Sequence, residues 1–428
     1  MTPAEVQQRP SHVKLLDPGP THIDFDWPET ASAPLNAIIV PASRGALALR
    51  SAIRLSAHLD VQLVVLCSLG THADEVVALA TRFAAGHVVA VDIPTGYQHP
   101  LLPRRTGVQR FRLASAGRSS DLSLKRNVGL LLARLRGWSK VLFLDDDIDP
   151  LSDMSGLDPA VVGRIATELD TRQVAGLVCK SFPDNSVVCH ARRLAGRAQD
   201  NFVTGGALGV NCSDQPLPFF PDIYNEDWFF FAQQAANREL GVVGEAGQAP
   251  YHPYADPHRA RTEEFGDLLA EGLYALFETQ GSELAFVDRL AAADARYWKQ
   301  FIRARRQDLD ETAVQLTDCA DPDRDAALIS LHASADQLAR LHPRLCVDFI
   351  KAWRKDLHYW AQRTQRLDEE RTLTAALQLL GLRATQPAVS QTRHLPMRRS
   401  TRQVEPTLIG LVSPSGSQSL VGVNSSAA

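Results

Sequence analysis

At residues 144–150 the chain reads Leu-Asp-Asp-Asp-Ile-Asp-Pro, an apolar run that ends abruptly in carboxylates. Asp145, Asp146 and Asp147 repel one another unless something positive lies among them, and clustered carboxylate oxygens suit a hard divalent cation such as Mg²⁺ or Mn²⁺. Side chains alternate along an extended chain, so Asp145 and Asp147 are expected to face one site while Asp146 points elsewhere. A second acidic pair, Glu226 and Asp227, stands in Asn225-Glu226-Asp227-Trp228, ahead of a Phe-rich run. Acidic residues there suit the exposed amides of a helix start, and a carboxylate so held can also deprotonate a hydroxyl. Taken alone, the triplet reads as a solvated acidic turn and the pair as an ordinary helix start. Their surroundings change that reading.

Those residues need rigid elements to hold them. Residues 36–41 (NAIIVP), 62–67 (QLVVLC), 87–92 (HVVAVD) and 140–144 (KVLFL) have the β-branched, apolar character of buried strands. Helical spacing at 45–58, 71–85 and 120–136 separates them, which predicts a layered α/β domain with a parallel sheet. Its ligand site should lie at the carboxyl ends of the strands. Residues 151–280 look mixed: a helix at 158–169, strands at 174–180 and 186–190, an apolar Gly-containing run at 202–211, a helix from about residue 225, and a strand at 241–245. From 281 to 382 the strands vanish and Leu, Ala, Trp and Phe recur at helical spacing, predicting a helical appendage. The predicted organisation is an extension at 1–35, two halves of one α/β domain at 36–150 and 151–280, the helical region at 281–382, and a flexible tail at 383–428.

The 428 residues are 45% apolar, enough for a large core and two or three domains. With 45 Lys and Arg against 49 Asp and Glu, the net charge of −4 gives no basis for nucleic-acid binding. No stretch reaches the ~20 apolar residues that cross a bilayer, and the amino terminus lacks the pattern of a secretory signal. Six scattered cysteines without a CxxC pair suggest reduced thiols in a cytoplasmic protein.

Around the acidic triplet stand Val40-Pro41-Ala42-Ser43-Arg44 at the end of the first strand, Lys125-Arg126-Asn127-Val128-Gly129 on the preceding helix, Thr204-Gly205-Gly206 downstream, and then Asn225-Glu226-Asp227-Trp228. In this order and spacing the set, across residues 37–272, resembles the GT-A glycosyltransferases, especially those like family 2. The resemblance implies a Rossmann-like GT-A sheet flanked by helices, a nucleotide-diphosphate sugar donor, an acceptor hydroxyl of unknown identity, and Mn²⁺ or Mg²⁺. It implies that Pro41, Ser43 and Arg44 line the nucleotide pocket, that Arg126 approaches the diphosphate, and that Asp145 and Asp146 belong to the donor site. Asp147 would bind the metal, Asp227 would be the general base if the reaction inverts, with retention the alternative, and Glu226 would orient the acceptor beside Gly205, Gly206 and Trp228.

One feature departs from the family pattern. Cys67-Ser68-Leu69-Gly70 stands where the family usually places an acidic residue, and Asp92 at the third strand's end is the substitute expected for it. A third metal ligand is often a histidine beyond the last strand, where His252 and His258 both occur; His252 is nearer the strand. Trp138, Trp298, Trp353 and Trp360 read as core, and His190 as structural.

Three other readings compete. A nucleotidyltransferase typically has a Gly-rich, Arg-containing first loop, whereas Pro41-Ala42-Ser43-Arg44-Gly45-Ala46 offers one Gly. An aspartate-nucleophile phosphatase resembling the haloacid-dehalogenase group wants Thr or Val after its second Asp, and here Ile148 and Asp149 follow. A non-catalytic protein that binds nucleotide sugars is the third. The helical region beyond residue 282 would then bind a partner, pair with a second copy, or cover the acceptor cleft.

Overall fold

Five of the β-branched runs become strands at or within a residue of their expected limits. The structure is a computed structural model that describes residues 12–17, 35–148, 157–180, 182, 185–197, 202–213, 216–281 and 283–387. Asp149, Pro150, most of the amino-terminal extension and the tail from residue 388 lie outside the described residues.

The strands are β1 (Leu16–Asp17), β2 (Ala37–Ala42), β3 (Gln62–Cys67), β4 (Val88–Asp92), β5 (Lys140–Leu144), β6 (Val174–Lys180), β7 (Val203–Asn211) and β8 (Leu240–Gly247). They form one sheet in the order β1-β8-β6-β7-β5-β2-β3-β4. β7 runs antiparallel to β5 and β6. The other neighbours are parallel. Both expected halves of the α/β domain therefore contribute to a single sheet.

Alternation along the strands splits the core into two layers. In β2, Ile39 packs into one layer while Ile38 and Val40 pack into the other, as a period of two requires. Helices Arg50–Leu59, Ala73–Arg82 and Pro159–Glu168 cover the second layer. Helix Leu122–Leu135 covers the first, together with Pro257–Thr279 and the later helices Ala295–Thr317, Arg324–Leu338 and Pro343–Thr364. The architecture is mixed α/β, Rossmann-like in its coarse plan, with a helical carboxyl-terminal region. That region is not an appendage: Trp298, Trp353 and Trp360 are buried in the same core as Phe143 of β5.

One segment departs from expectation. Residues 186–190 form part of helix Val187–Leu194, with Ser186 Oγ accepting from the Cys189 amide at 3.2 Å. A Ser cap followed by buried Val187, Val188 and Ala191 outweighs the β propensity of two valines. All six cysteines are free thiols, and burial pushes that of Cys67 up to about 12. No described helix is long and apolar enough to cross a membrane.

Candidate functional site

The cleft opens where β2 and β5 part company. Their pairing runs from Ala37 opposite Val141 to Ile39 opposite Phe143 and then stops. Beyond it Pro41, which has no amide hydrogen, lies against β3 alone, so the missing donor costs no ladder bond on the β5 side. The chain reverses its order of strand addition at this point, which is where open α/β sheets bind ligands. Because β7 is antiparallel, its beginning at Thr204 reaches the same edge as the ends of β2 and β5. The resulting cleft holds about 300 Å³. Pro41, Ser43, Arg44, Arg126, Asp145, Asp146, Asp147, Glu226, Asp227 and Trp228 all line it.

Arg126 is the hinge of this arrangement. It sits on helix Leu122–Leu135, whose Gly129, one turn later, lies so close to Ile39 and Phe143 that an added Cβ would meet both at 2.9 Å. That approach sinks the Arg126 guanidinium into the cleft floor, 2% exposed. Its Nη1 donates to Glu226 Oε1 at 2.7 Å, and its Nη2 donates to the two oxygens of Asp145 at 3.0 and 2.9 Å. One buried cation thus joins the acidic triplet to the Asn-Glu-Asp-Trp segment. Burial disfavours its charge, but Asp145, Glu226 and Asp227 outweigh that and raise its pKa.

The three aspartates divide between two arginines. Asp145 turns to Arg126. Asp146 accepts from the backbone amides of Ser43 and Arg44 at 2.7 and 2.9 Å and from Arg44 Nη1 at 2.6 Å, so it shapes the loop after β2. Asp147 Oδ2 meets Arg44 Nη2 at 2.9 Å and Gln248 Nε2 at 3.1 Å. Asp145 and Asp147 both line the cleft, and the Arg44 guanidinium feels the charge of all three aspartates. Among the described residues no three His, Cys, Asp or Glu side chains converge as a metal-binding set.

Asp227 is held by its neighbours' backbone. Its Oδ2 accepts from the Gly205 amide at 2.6 Å and its Oδ1 from the Trp228 amide at 2.9 Å. A carboxylate oxygen can accept more than one hydrogen bond, so this clamp orients the group and leaves it chemically able to accept a proton. Asn225 precedes it in the left-handed conformation at φ 59°, with its side-chain amide donating to Asp267 at 2.9 Å. Arg305 of the carboxyl-terminal region binds the other oxygen of Asp267 at 2.8 Å. The helical layer therefore fixes the turn that presents Glu226 and Asp227.

Several expected residues are used differently. Gly205 makes room for Arg126: an added Cβ would meet Nη1 at 2.5 Å. An added Cβ on Gly206 would meet the Ile148 side chain at 3.0 Å, so neither glycine itself lines the cleft. Asp92 lies outside the cleft and accepts from the Ala73 amide at 2.9 Å, at the start of helix Ala73–Arg82. His252 also lies outside it, largely exposed and 3.5 Å from Asp323. Trp228 lines the cleft but packs against Tyr274, the rings tilted by 36° with centroids 4.5 Å apart, within an aromatic cluster. His190 bonds Tyr251 at 3.1 Å, and burial pulls its pKa down to about 3, as suits a structural imidazole.

Further residues line or brace the cleft. Lys125 is buried, with Nζ on the Ala42 carbonyl and on Ser68 Oγ at 2.9 Å each, tying the ends of β2 and β3 together. Asn127 makes reciprocal bonds with the backbone of Phe220 at 2.7 and 2.9 Å, anchoring the segment before Asn225. Arg118 and Arg259 reach the rim, backed by Asp222 at 3.8 Å and Glu263 at 2.6 Å. Gln248 lines the cleft at 5% exposure, and its Oε1 is buried without a hydrogen-bond partner. The acidic side chains Asp121, Asp145, Asp146, Asp147, Glu226 and Asp227 outnumber the basic Arg44, Arg118, Lys125, Arg126 and Arg259. Such an excess of hard oxygen donors, with an unused amide oxygen among them, fits a divalent cation of the Mg²⁺ or Mn²⁺ type.

No model of a known family matches the chain, and no curated protein matches it.

Proposed function

We propose that the chain is a glycosyltransferase of the GT-A kind, moving a sugar from a nucleotide-diphosphate donor to an acceptor hydroxyl with inversion. One observation carries the reading: Arg126 joins Asp145 to Glu226, so the acidic triplet and the Asn-Glu-Asp-Trp turn share one cleft at the strand ends. Arg44, Arg118 and Arg259 are the rim cations available to the donor's diphosphate, where guanidinium forks match phosphate oxygens. Asp145 and Asp147 would hold Mn²⁺ or Mg²⁺, which when bound offsets the charge gathering on the departing nucleoside diphosphate.

Asp227 takes the proton of the acceptor hydroxyl. As the acceptor oxygen bonds to the anomeric carbon, the bond from that carbon to the diphosphate oxygen breaks, and the electron pair leaves with the nucleotide. Glu226, neutralised by Arg126, is held too firmly to serve as the base and instead orients the acceptor. Substituting Asp227→Asn should lower sugar transfer about 10²- to 10⁴-fold, the usual contribution of a positioned base, while donor affinity stays near that of the native protein. The check is release of free nucleotide from a panel of UDP-, GDP- and dTDP-sugars with candidate acceptors. Native turnover in the Asn variant would remove Asp227 from the chemistry.

A further inference from the structure

We propose that Gln248 supplies an amide oxygen to a divalent cation held beside Asp147, taking the place for which sequence suggested a histidine. The inference rests on the donor-site reading above but names a different residue and can fail alone. Beyond β8 the chain turns back onto the acidic triplet: Ile148 and Gln248 pair as an antiparallel bridge, and the Ala249 amide donates to the Asp147 carbonyl at 2.8 Å. This backbone pairing fixes Gln248 against Asp147. His252, four residues later, falls past it and faces Asp323.

The orientation of the Gln248 amide follows from charge. Nε2 donates to Asp147 Oδ2 at 3.1 Å, and the opposite rotamer would set two oxygens against each other. Oε1 is consequently left buried without a partner. A buried acceptor with nothing to accept is costly, and a cation is one of the partners that satisfy such an oxygen. Here the orphan belongs to a side chain lining a cleft rich in carboxylates. A carbonyl oxygen is a hard ligand, so the set of Asp147 carboxylate and Gln248 amide favours Mg²⁺ and Mn²⁺ over Zn²⁺.

The test is titration of the full chain with Mn²⁺ alone, read from the loss of the free-ion signal in electron paramagnetic resonance, with thermal unfolding run on each variant. Gln248→Leu keeps the bulk, removes the oxygen, and is expected to weaken Mn²⁺ about tenfold. Gln248→Glu keeps an oxygen donor and should bind at least as tightly as the native chain, which preserves the test should the Leu variant fold poorly. Gln248→His should raise Zn²⁺ affinity relative to Mg²⁺. Native Mn²⁺ affinity in folded Gln248→Leu, or weakened affinity in Gln248→Glu, would overturn the assignment. Loss of binding in Asp147→Asn alongside native binding in Gln248→Leu would leave the cation site standing while removing Gln248 from it. No Mn²⁺ binding by the native chain would overturn both.

Discussion

Two arginines touch the same acidic triplet, one from below and one from the rim, and they do different work. Arg126 is buried and bonded to Asp145 and Glu226. Arg44 has a side chain 52% exposed and bonds Asp146 and Asp147. A buried guanidinium among carboxylates cannot leave without stranding their charges, so the floor of the cleft is a fixed scaffold. A half-exposed one exchanges partners with solvent at small cost, so the rim is where an incoming anion can be met.

The largest effect expected from this contrast is on the floor. Arg126→Ala strands Asp145 and Glu226 and should cost about 3–5 kcal/mol of stability, seen as a large fall in the thermal midpoint. A shift no larger than that of a surface substitution would show that the floor is not a scaffold.

A smaller effect is expected behind the floor. His12 lies 5.6 Å edge-on from Trp228 and pairs with the buried Glu271 and Glu278 at 3.0 and 2.6 Å. Burial lowers its pKa, but the two glutamates win and raise it from 6.5 to about 9. A folded-state pKa above the unfolded one contributes stability in full below pH 6.5 and loses it as pH rises through 9. The swing is on the order of 3 kcal/mol at most. Thermal midpoints measured from pH 6 to pH 10 should fall over that window, and His12→Gln should flatten the fall. An unchanged slope in that variant would mean that His12 does not support the floor through its charge.

What could be read in advance follows the same division. Most strands were legible because β-branched runs have few structural explanations, and the acidic clusters stood out only through the ordered motifs around them. Asp92, expected at the donor site, instead accepts from the Ala73 amide, because an acid at a strand end serves a helix start as well as a ligand. Gln248 left no trace because a neutral amide carries no charge pattern; only the return of the chain after β8 reveals it. Helical periodicity announced the carboxyl-terminal helices but not the face that they cover. Their role in fixing Asn225 through Asp267 and Arg305 is therefore visible only in three dimensions.

The smallest structural change and the most direct test coincide at the rim. Binding of UDP-, GDP- and dTDP-sugars in the presence of Mn²⁺ should be measured by calorimetry for the native chain and for Arg44→Ala. The account predicts that at least one nucleotide sugar binds the native protein. It also predicts that Arg44→Ala weakens that binding about tenfold while costing no more than ~1 kcal/mol of stability. Absence of binding by the native chain, or native affinity in the folded Arg44→Ala variant, would contradict it.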